Sequence, residues 1–593
     1  MSLDEMAIHK GLRYDPGTKT ILGYITPLFA DQTQAQKEPE IASKVMVIML
    51  KFMKSGEEKI VGYFFTNGNL KGVEIAALVK GTMRRCKEAG IVVNGVVCDG
   101  PATNIAMLNE MGAHLDVNSL KHSFTDEYSG RSVCVMLDTP HMLKLVRNTL
   151  GECGIHVPGF CHPAQWSHLT MLFEWEEQNG WRAGSRLTRK HISYDKYKMK
   201  VSLAAQVFSL STADALDYLR LDLKMPAFAE TAATADLCRQ VNDAFDLLNA
   251  RCVNATGSKS VWTLHNLDEK KEKLIAFVDY MRGWKLVSKD QLVERSHRKT
   301  CVLGLMTTIH STISIAKTIL TEENHKHFLP YYTQQDFLEH LFSKIRGRCG
   351  RNTNPDAVQV KYTIRQLQVI RDGGIDPSIF GNCSFDPQLA LQDALDCEED
   401  FHNDDVILDI VFECDEQHKS QQFIDNCIAY VAGYIVFQLR NMAICKVCQL
   451  ALQNTAEDSL PADVMLLIKR KKRGELITPS KSVYLLVKWC EAVFETEVID
   501  KSTMPTIPQL PDILTIKAIR RLDHQKYFPT LKTHVFEQNL KCENDHRITL
   551  VKRLFKRYFQ FRIKAYLKVM NCPPGDKVSK RNHVEKMLQF LGM

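Results

Sequence analysis

The chain has 593 residues, 45% of them hydrophobic, which is enough for several buried cores and predicts three or four domains. Its formal net charge of +7 permits nucleic-acid binding without diagnosing it. The 18 cysteines lack a disulfide-type spacing and no signal peptide is evident, so we expect a reducing compartment rather than a secreted protein. The longest apolar stretch, 427–437, is too short and too interrupted to cross a bilayer, so we expect a soluble intracellular protein.

The N-terminal segment predicts a sheet. Short β-rich runs separated by turn residues, with one helical pattern between the last two, lie at 3–6, 21–25, 44–50, 60–65, 72–90 (the helix) and 91–98. Asp4 is in the first run, and Asp99 follows the last one, where α/β folds commonly place catalytic groups. The order strand, strand, strand, helix, strand is that of an RNase H-like fold, which gathers acids around two metal ions.

A late helix supplies further acids. Over residues 333–346, five apolar side chains recur at helical spacing and form a stripe for burial: Phe337, Leu338, Leu341, Phe342 and Ile345. Asp336 and Glu339 are then one turn apart on the opposite face. Such a pair is usually solvated surface, but it is also half of a site for a hard cation such as Mg²⁺, which prefers oxygen ligands. The acids nearer the N-terminus could complete that site.

Four blocks resemble the P-element-type transposases, the group that includes the THAP-domain transposases. They are the acidic-helix block at 333–346 with Asn-Thr-Asn-Pro at 352–355, Val-Cys-Asp-Gly-Pro-Ala-Thr-Asn at 97–104, the Asp-x-Pro-His-x-x-Lys-x-x-Arg-Asn signature at 138–148, and Tyr-Val-Ala-Gly-Tyr-Ile-Val at 430–436. The resemblance runs in order from about residue 2 to about residue 455. It implies that Asp4, Asp99 and Glu339 are catalytic, and that these three and Asp336 bind metal.

The resemblance also implies the domain organisation. We expect an α/β RNase H-like catalytic domain at 1–150, resumed at 301–355 by the acidic helix. A mainly helical GTP-binding insertion at 151–300 interrupts it, and a mostly helical C-terminal domain occupies 356–593. Helical apolar spacing within the insertion supports this at 204–219, 231–249 and 270–284.

Within the insertion, two blocks resemble the family's nucleotide contacts. They implicate Lys190, Lys200, Val201, Ser209, Asp246 and Asn249. The lysines could balance phosphate charge, and a carboxylate can accept both the N1–H and N2–H₂ donors of guanine. The alternative is an amphipathic helix whose Asp and Asn face water. No G-x-x-x-x-G-K-[ST] motif supports a nucleotide site independently.

Asp138 is the chief rival of Asp99 as second metal ligand. Asp138 or Thr139 can also cap the helix that follows, with Pro140 in its first turn. We prefer Asp99 because it ends the fourth predicted strand. Four polar side chains of the same helix could face DNA phosphates: His141, Lys144, Arg147 and Asn148.

The C-terminal third offers weaker patterns. Cys445 and Cys448 form half a zinc site, with Cys542 and His546 as candidate partners, but an ordinary reduced pair is the preferred interpretation. The basic run 469–473 is either a nuclear-import signal or a solvated loop. The basic and aromatic segment 551–567 predicts a helix that lines a DNA channel or packs in a core with a basic outer face.

These observations predict a nuclear DNA transposase core that uses Mg²⁺ or Mn²⁺ and GTP. Its expected partners are double-stranded transposon ends and target DNA, bound by a homo-oligomer, with no membrane. Because Met1 stands three residues before Asp4, we expect this chain to lack the zinc-coordinating DNA-binding domain and the dimerising helical region with which members of the family usually begin. The alternatives are therefore a truncated or domesticated non-catalytic DNA- or protein-binding scaffold, or a GTP-binding regulatory protein.

Overall fold

A computed structural model describes much of the chain. It covers residues 1–15, 17–26, 40–349, 352, 354–371, 420–440, 445–473, 476–499, 509–522, 526–531, 534 and 546–570. These residues belong to two compact units. The first unit comprises 1–163, 197–205 and 240–399, and the second comprises 164–196, 206–239 and 400–593.

The first unit is built on a six-stranded mixed sheet in the order β5-β4-β1-β6-β8-β7. The strands of this unit, in chain order, are β1 Ser2–Ala7, β2 Arg13–Asp15, β3 Thr20–Leu22, β4 Lys44–Lys51, β5 Glu58–Thr66, β6 Gly95–Cys98, β7 Ser123–Thr125, β8 Ser132–Leu137, β9 Ile155–His156, β10 Lys285–Leu286 and β11 Gln291–Leu292. β1, β4 and β5 pair antiparallel, whereas β6 runs parallel to both β1 and β8. Along the chain, β1, β4 and β5 precede β6, which agrees with the predicted RNase H-like order of elements.

Eighteen α-helices lie in the described residues. The first twelve are α1 Gly72–Glu88, α2 Ala102–Glu110, α3 Thr139–Cys153, α4 Trp166–Asn179, α5 Arg189–Ile192, α6 Val201–Val207, α7 Leu210–Asp217, α8 Ala232–Leu248, α9 Leu267–Arg282, α10 Lys299–Lys317, α11 Asp336–Arg348 and α12 Ala357–Arg371. The other six are α13 Gln421–Leu439, α14 Lys446–Ala451, α15 Leu466–Lys471, α16 Lys481–Phe494, α17 Leu510–Arg520 and α18 His546–Met570.

The acidic helix α11 is held by its apolar stripe. All five predicted side chains of the stripe are buried, in one core with residues of β1, β4, β5 and α12. Met6 and Val45, for example, are 1% and 0% exposed in that core. Because burial of each large apolar side chain stabilises by roughly 1.5–3 kcal/mol, this face fixes the helix on the sheet. The polar face, with Asp336 and Glu339, is thereby turned away from the core.

Helix α10 packs against β8 through polar as well as apolar contacts. The Thr308 hydroxyl donates to the Leu137 carbonyl at 2.7 Å, and Ser311 donates to that of Val135 at 2.5 Å. A Cβ atom at Gly304 would lie 2.2 Å from the sulfur of Met142 in α3, so any larger residue there would have to displace the Met142 side chain. Residues Lys299–Glu322 are long and apolar enough to cross a membrane by length and composition alone, yet 72% of the apolar window is buried inside the protein. That burial is typical of a core helix.

Three predicted elements differ from the structure. The run 21–25 contributes only β3, which pairs with β2 in a separate two-stranded sheet, so it is not a strand of the main sheet. The predicted strand 91–98 is shortened to β6, and the helix over 204–219 is divided into α6 and α7. The division between α6 and α7 has a local cause, because Ser209 caps α7 by accepting a hydrogen bond from the Thr212 amide.

The second unit is helical, and α18 is one of its core helices. Nine of its apolar side chains are buried: Leu550, Val551, Leu554, Phe555, Tyr558, Phe559, Phe561, Ala565 and Tyr566. Arg562 is also buried and donates to both carboxylate oxygens of Glu491, at 3.0 and 2.9 Å. The exposed basic residues include Lys552 and Lys564. The structure therefore favours the core-helix interpretation of 551–567.

The basic run 469–473 is engaged within the second unit. Arg470 makes two hydrogen bonds to Asp222, at 2.6 and 3.0 Å, and Arg473 makes two to Asp214, at 2.6 and 2.7 Å. Partial burial lowers the pKa of Lys471 to about 8, against the opposing effect of the Asp214 carboxylate. The interpretation as a solvated loop is wrong for Arg470 and Lys471, which lie in α15 and are partly buried, whereas Arg473 is exposed and pairs with Asp214.

Candidate active site

Strand register brings three carboxylates to one edge of the main sheet. Ser2 of β1 pairs with Val97 of β6, so Asp4 and Asp99 lie at the same level on neighbouring parallel strands. Cys98 pairs with Leu137 of β8, which puts Asp99 level with Asp138. Because parallel strands end at the same edge, all three side chains are at the carboxyl end of the sheet.

Asp138 joins two helices to this edge. One of its carboxylate oxygens accepts the amide N–H of His141 at 3.0 Å, capping α3 as predicted. The other accepts the amide N–H of Gln335, just before α11, also at 3.0 Å. Asp138 is only 4% exposed. Both oxygens are thus committed to backbone donors, so Asp138 is a poorer candidate than Asp99 for a metal ligand.

Asp99 has a different environment. It follows β6 directly, is partly exposed, and lies 3.1 Å from Nδ1 of His141. Its backbone carbonyl accepts a hydrogen bond from the Asn104 side chain at 3.1 Å, which fixes the turn after the strand. An oriented, accessible carboxylate of this kind can take a cation or a substrate group.

The start of α11 is fixed from two directions. Besides its amide contact, Gln335 donates from Nε2 to the Leu3 carbonyl at 2.6 Å, next to Asp4. Asp336 is partly exposed and is 3.3 Å from Arg251, whereas Glu339 is exposed. The guanidinium of Arg251 also stacks over the ring of Tyr331, 4.3 Å from its centre. The acidic helix therefore begins at the same sheet edge as Asp4 and Asp99.

The carboxylates act on one another electrostatically. Burial, and then the charges of Asp99 and Glu339, raise the pKa of Asp4 to about 7. Burial also raises the pKa of Asp138 to about 7, with Asp99 and Asp336 adding to it, although its backbone donors oppose the rise. Although Glu339 as a residue is exposed, partial desolvation of its carboxylate raises its pKa, Asp336 and Asp99 add to the rise, and Lys144 lowers it. Like charges held together destabilise one another's ionised form.

This donor set fits a divalent metal ion. The side chains are carboxylates, the ligands that Mg²⁺ and Mn²⁺ prefer, and their mutual repulsion is what a bound dication would relieve. Asp4, Asp99 and Glu339 are near enough for each carboxylate to perturb another. Strand register puts Asp4 level with Asp99, and Gln335 joins the start of α11, which carries Asp336 and Glu339, to the Leu3 carbonyl. The catalytic and metal-binding roles of these acids remain predictions.

The prediction that α3 turns four polar residues towards DNA is wrong for three of them. Lys144, Arg147 and Asn148 are buried, at 7%, 0% and 9% exposure. Arg147 donates to the carbonyl of Lys198 at 2.7 Å and to Asn148 at 2.9 Å. The cause is packing, because α3 is covered by neighbouring elements of the first unit on the face that the sequence pattern made polar. His141 is the exception, through its contact with Asp99.

The six predicted nucleotide contacts are divided between the two units. Lys190 and Ser209 belong to the second unit, and Lys200, Val201, Asp246 and Asn249 to the first. Lys200 is exposed, with its ammonium 5.5 Å from the centre of the Tyr197 ring. Asp246 accepts from Asn242 at 3.2 Å and is 4.0 Å from Lys259, while Asn249 accepts from Arg251 at 3.1 Å. Their nucleotide role remains a prediction.

A cavity of about 260 Å³ lies beside Asp99. Its lining is Gly100, Pro101, His141, Leu145, Thr149, His297, Arg298, Thr300 and Cys301. Arg298 also forms an ion pair with Glu152. The cavity thus combines one fixed positive charge and two imidazoles with apolar walls.

Sequence reasoning missed three residues of the site. The acidic-helix block contains Gln335 but does not indicate a role for it. The pattern of α3 points His141 towards DNA, and no pattern points to Arg251. No local pattern could reveal the Arg251 contact, since 85 residues separate it from Asp336. A pair of glutamines just ahead of a helix was the available signal for Gln335.

Three family profiles match the chain. They are described as "TNP-like, RNase H N-terminal domain" over residues 1–112, "TNP-like, GTP-binding insertion domain" over 140–261, and "DNA transposase THAP9, C-terminal domain" over 418–568. Together they lie in the order that the predicted organisation requires.

Individual proteins are similar as well. The human "DNA transposase THAP9" is 24% identical over 95% of this chain and 63% of its own length. The Drosophila melanogaster "Transposable element P transposase" is 25% identical over 48% of this chain and 36% of its own. The chain thus spans less than two thirds of either relative. The solved "Drosophila P element transposase strand transfer complex" matches with a TM-score of 0.52 and 20% identity, over 63% of this chain and 76% of that one, and so shares the fold.

The two rival acids should respond differently to truncation. Asp138→Ala leaves the amide groups of His141 and Gln335 without acceptors, so we expect a loss of about 2–4 kcal/mol in stability. Asp99→Ala removes a partly exposed carboxylate and should change the melting temperature little. Thermal unfolding of both variants beside the wild type, without metal, measures this. Equal melting temperatures for the two variants would contradict the structural role of Asp138.

The raised pKa of Asp4 predicts a pH dependence. A carboxyl group whose pKa is near 7 in the folded state and near 4 in the unfolded state keeps its proton up to a higher pH when the protein is folded. Stability must then fall as pH rises between those values. We expect Asp4→Asn to melt about 3–6 °C above the wild type at pH 8 without metal, and to match it at pH 4.

The comparison with Glu322→Gln, an exposed acid of the same unit, controls for loss of one charge. Other groups that titrate, such as the partly buried His122 and His310, are present in the wild type and in both variants. Their effect therefore cancels when the melting temperatures of these proteins are compared at one pH. Added Mg²⁺ should stabilise the wild type and the Glu322→Gln protein more than Asp4→Asn. An identical pH profile for all three proteins would refute the assigned charge repulsion.

Proposed function

Because this chain belongs to the P-element-type transposases, we propose that it is a transposase core that cuts DNA and joins it to a target. The observation that carries the proposal is the meeting of Asp4, Asp99 and Glu339 at one sheet edge. Three carboxylates from two strands and a helix are the ligand set that two-metal phosphodiester chemistry requires.

Each acid has a distinct part in the proposal. Asp4 and Asp99 are fixed by strand register and would supply carboxylate oxygens to a bound metal ion. His141 holds the Asp99 carboxylate through Nδ1. Glu339 closes the site from α11, whose start is fixed by Gln335. Asp336 supports the site from one turn earlier, and its contact with Arg251 leaves it less available as a ligand.

Magnesium or manganese bound there would activate water or a 3′-hydroxyl and neutralise charge on the attacked phosphate. The protein's own contribution is orientation. The sheet holds Asp4 and Asp99 and helix α11 holds Glu339, so that successive hydrolysis and strand transfer could use one set of carboxylates. Proton release accompanies metal binding, because Asp4 and Glu339 hold protons at higher pH than ordinary carboxyls do.

Double-stranded DNA is the proposed substrate. The net charge of +7 favours a polyanion, and the cavity beside Asp99 offers Arg298, His141 and His297 next to the carboxylates. A phosphate or a sugar near the scissile bond could occupy that cavity while the acids hold the metal. Action on chromosomal DNA implies a nuclear location and, for the joining of two ends, a homo-oligomer on DNA.

GTP is the proposed nucleotide cofactor, since residues 140–261 match a GTP-binding insertion domain. Asp246 is the candidate for the guanine edge, and Lys200 for phosphate charge; both lie in the first unit. Lys190, Val201 and Ser209 remain further candidates. Asn249 is linked to the acidic helix by Arg251, which donates to Asn249 and to Asp336 at 3.1 and 3.3 Å. This link would connect nucleotide occupancy with the position of α11.

Strand transfer is the direct test. We expect the wild type to join pre-cleaved element ends to target DNA with Mg²⁺ or Mn²⁺, when it carries a fused DNA-binding domain directed to those ends. Glu339→Gln should reduce joining by at least about 100-fold, because a neutral amide is a much poorer ligand for a hard dication. Asp336→Asn should reduce it less. Joined product is measured on gels at fixed salt.

Glu322→Gln is the matched control and should join DNA as the wild type does. DNA retention by Glu339→Gln should equal or exceed that of the wild type, because removal of a carboxylate lowers repulsion towards phosphate. Equal residual joining by the wild type and Glu339→Gln would instead favour the non-catalytic scaffold.

Guanine selectivity tests the cofactor. Titration calorimetry should show binding of GTP in preference to ATP, and Asp246→Asn should weaken GTP binding about 10-fold or more, since an amide oxygen accepts only part of what a carboxylate accepts. Asp268→Asn, at an exposed acid in the first turn of α9, is the control. Equal affinity for ATP and GTP would remove the guanine assignment.

A further inference from the structure

Two cysteines and two histidines converge at one point in the second unit. Their ligand atoms all lie within 4.8 Å of one another: the sulfurs of Cys445 and Cys448, Nε2 of His534 and Nδ1 of His546. Cys448 is buried and the other three residues are partly buried. The interpretation of Cys445 and Cys448 as an ordinary reduced pair omitted this geometry. Of the two partners considered from sequence, His546 is present, while Cys542 lies outside the described residues.

The distances match the edges of a ligand tetrahedron. Zinc bonds of about 2.3 Å to sulfur and 2.0–2.1 Å to nitrogen give edges of about 3.5 Å between sulfur and nitrogen and about 3.3 Å between nitrogens. The Cys445 sulfur is 3.3 Å from His534 Nε2 and 3.8 Å from His546 Nδ1, and the Cys448 sulfur is also 3.8 Å from His546 Nδ1. The two nitrogens are 3.0 Å apart. These four distances, out of the six edges of a tetrahedron, are within about 0.3 Å of the values expected for zinc.

Hydrogen bonding alone does not account for this arrangement. Nδ1 of His546 is near three other ligand atoms, yet one ring N–H can point at only one of them. A cation at the centre would satisfy all four atoms at once. Two thiolates would also balance the charge of a dication, and the set of two sulfurs and two nitrogens is one that selects zinc.

The surrounding backbone holds the ligands in place. Cys445 precedes α14, and its sulfur accepts the amide N–H of Cys448 at 3.5 Å, so the two sulfurs share one turn. His546 is the first residue of α18. The His534 amide donates to the Leu531 carbonyl at 3.2 Å, at the end of the short 3₁₀ helix Pro529–Leu531. The ligands thus come from three elements separated by up to 101 residues in sequence.

We propose that Cys445, Cys448, His534 and His546 bind a structural zinc ion that fastens α14 and His534, which is hydrogen-bonded to the end of the 3₁₀ helix Pro529–Leu531, to the start of α18. All four tetrahedral positions are taken by protein, which is the mark of a structural site rather than a catalytic one. The elements joined are short, six residues in α14 and three in the 3₁₀ helix. Short elements bury little apolar area, so a metal crosslink adds stability that packing alone does not supply.

Metal analysis of the full 593-residue protein tests the site. Protein purified without chelators and dialysed against Mg²⁺ buffer should retain about one zinc ion per chain by mass spectrometry. The Cys445→Ser and His546→Ala variants should lose it, whereas Cys161→Ser, which removes an exposed thiol, should keep it. Glu339→Gln should keep it too, which separates this site from the carboxylates. Zinc retained by both the Cys445→Ser and His546→Ala proteins would overturn the assignment.

Cobalt substitution keeps the test decisive if the variants fail to fold. Wild-type protein refilled with Co²⁺ after zinc removal should show sulfur-to-cobalt charge-transfer absorbance in the near ultraviolet, which oxygen ligands do not give. Cys445→His, which replaces one sulfur by an imidazole, should bind cobalt with about half of that absorbance. Zinc removal should lower the melting temperature by about 5 °C or more. Wild type with no zinc and no such absorbance would overturn the proposal.

Discussion

The arrangement of the acidic edge depends on the carboxylate of Asp138. It accepts one amide from the first turn of α3 and one from the residue before α11, so a single buried side chain fixes the end of β8 to both helices. Glu339 is four residues after Gln335, about one helical turn, and its position follows from this contact. Burial raises the pKa of Asp138 to about 7. The two amide donors oppose that rise, because each is a strong interaction with the ionised form.

The other acids illustrate a conflict between stability and binding. Asp4, Asp99 and Glu339 would destabilise one another less if each had a basic partner, but a tightly paired carboxylate is a poor metal ligand. Among the described residues, the three predicted catalytic acids accordingly have few basic neighbours. Asp99 lies beside a histidine, and Lys144 acts on Glu339, whereas Asp336, the supporting acid, is the one in contact with an arginine. Functional sites commonly retain such unfavourable charge, with the stability supplied by the core beneath them, here that of α11 and the sheet.

Sequence patterns predicted what local chemistry determines. The apolar stripe of α11, the cap at Asp138 and the chain order strand, strand, strand, helix, strand follow from periodicity and capping, and the structure confirms them. Patterns failed where distant contacts decide. Lys144 and Arg147 look like a polar helix face, yet they are buried because other parts of the first unit cover them. Arg251 meets Asp336 across 85 residues, and no local signal encodes that contact.

The cluster of two cysteines and two histidines is a second case in which residues far apart in sequence meet without a local pattern that predicts it. A spacing of two residues between Cys445 and Cys448 is a recognisable half-site, but its histidines follow 86 and 98 residues after Cys448 and have no characteristic spacing. The two candidate metal sites also differ in chemistry. Carboxylates bind Mg²⁺, which keeps several of its waters and exchanges readily, whereas thiolates and imidazoles enclose zinc completely. A chelator with soft donor atoms should therefore remove zinc from the cysteine and histidine site without removing Mg²⁺ from the carboxylate site, because the ligand atoms of the first site are softer than those of the second.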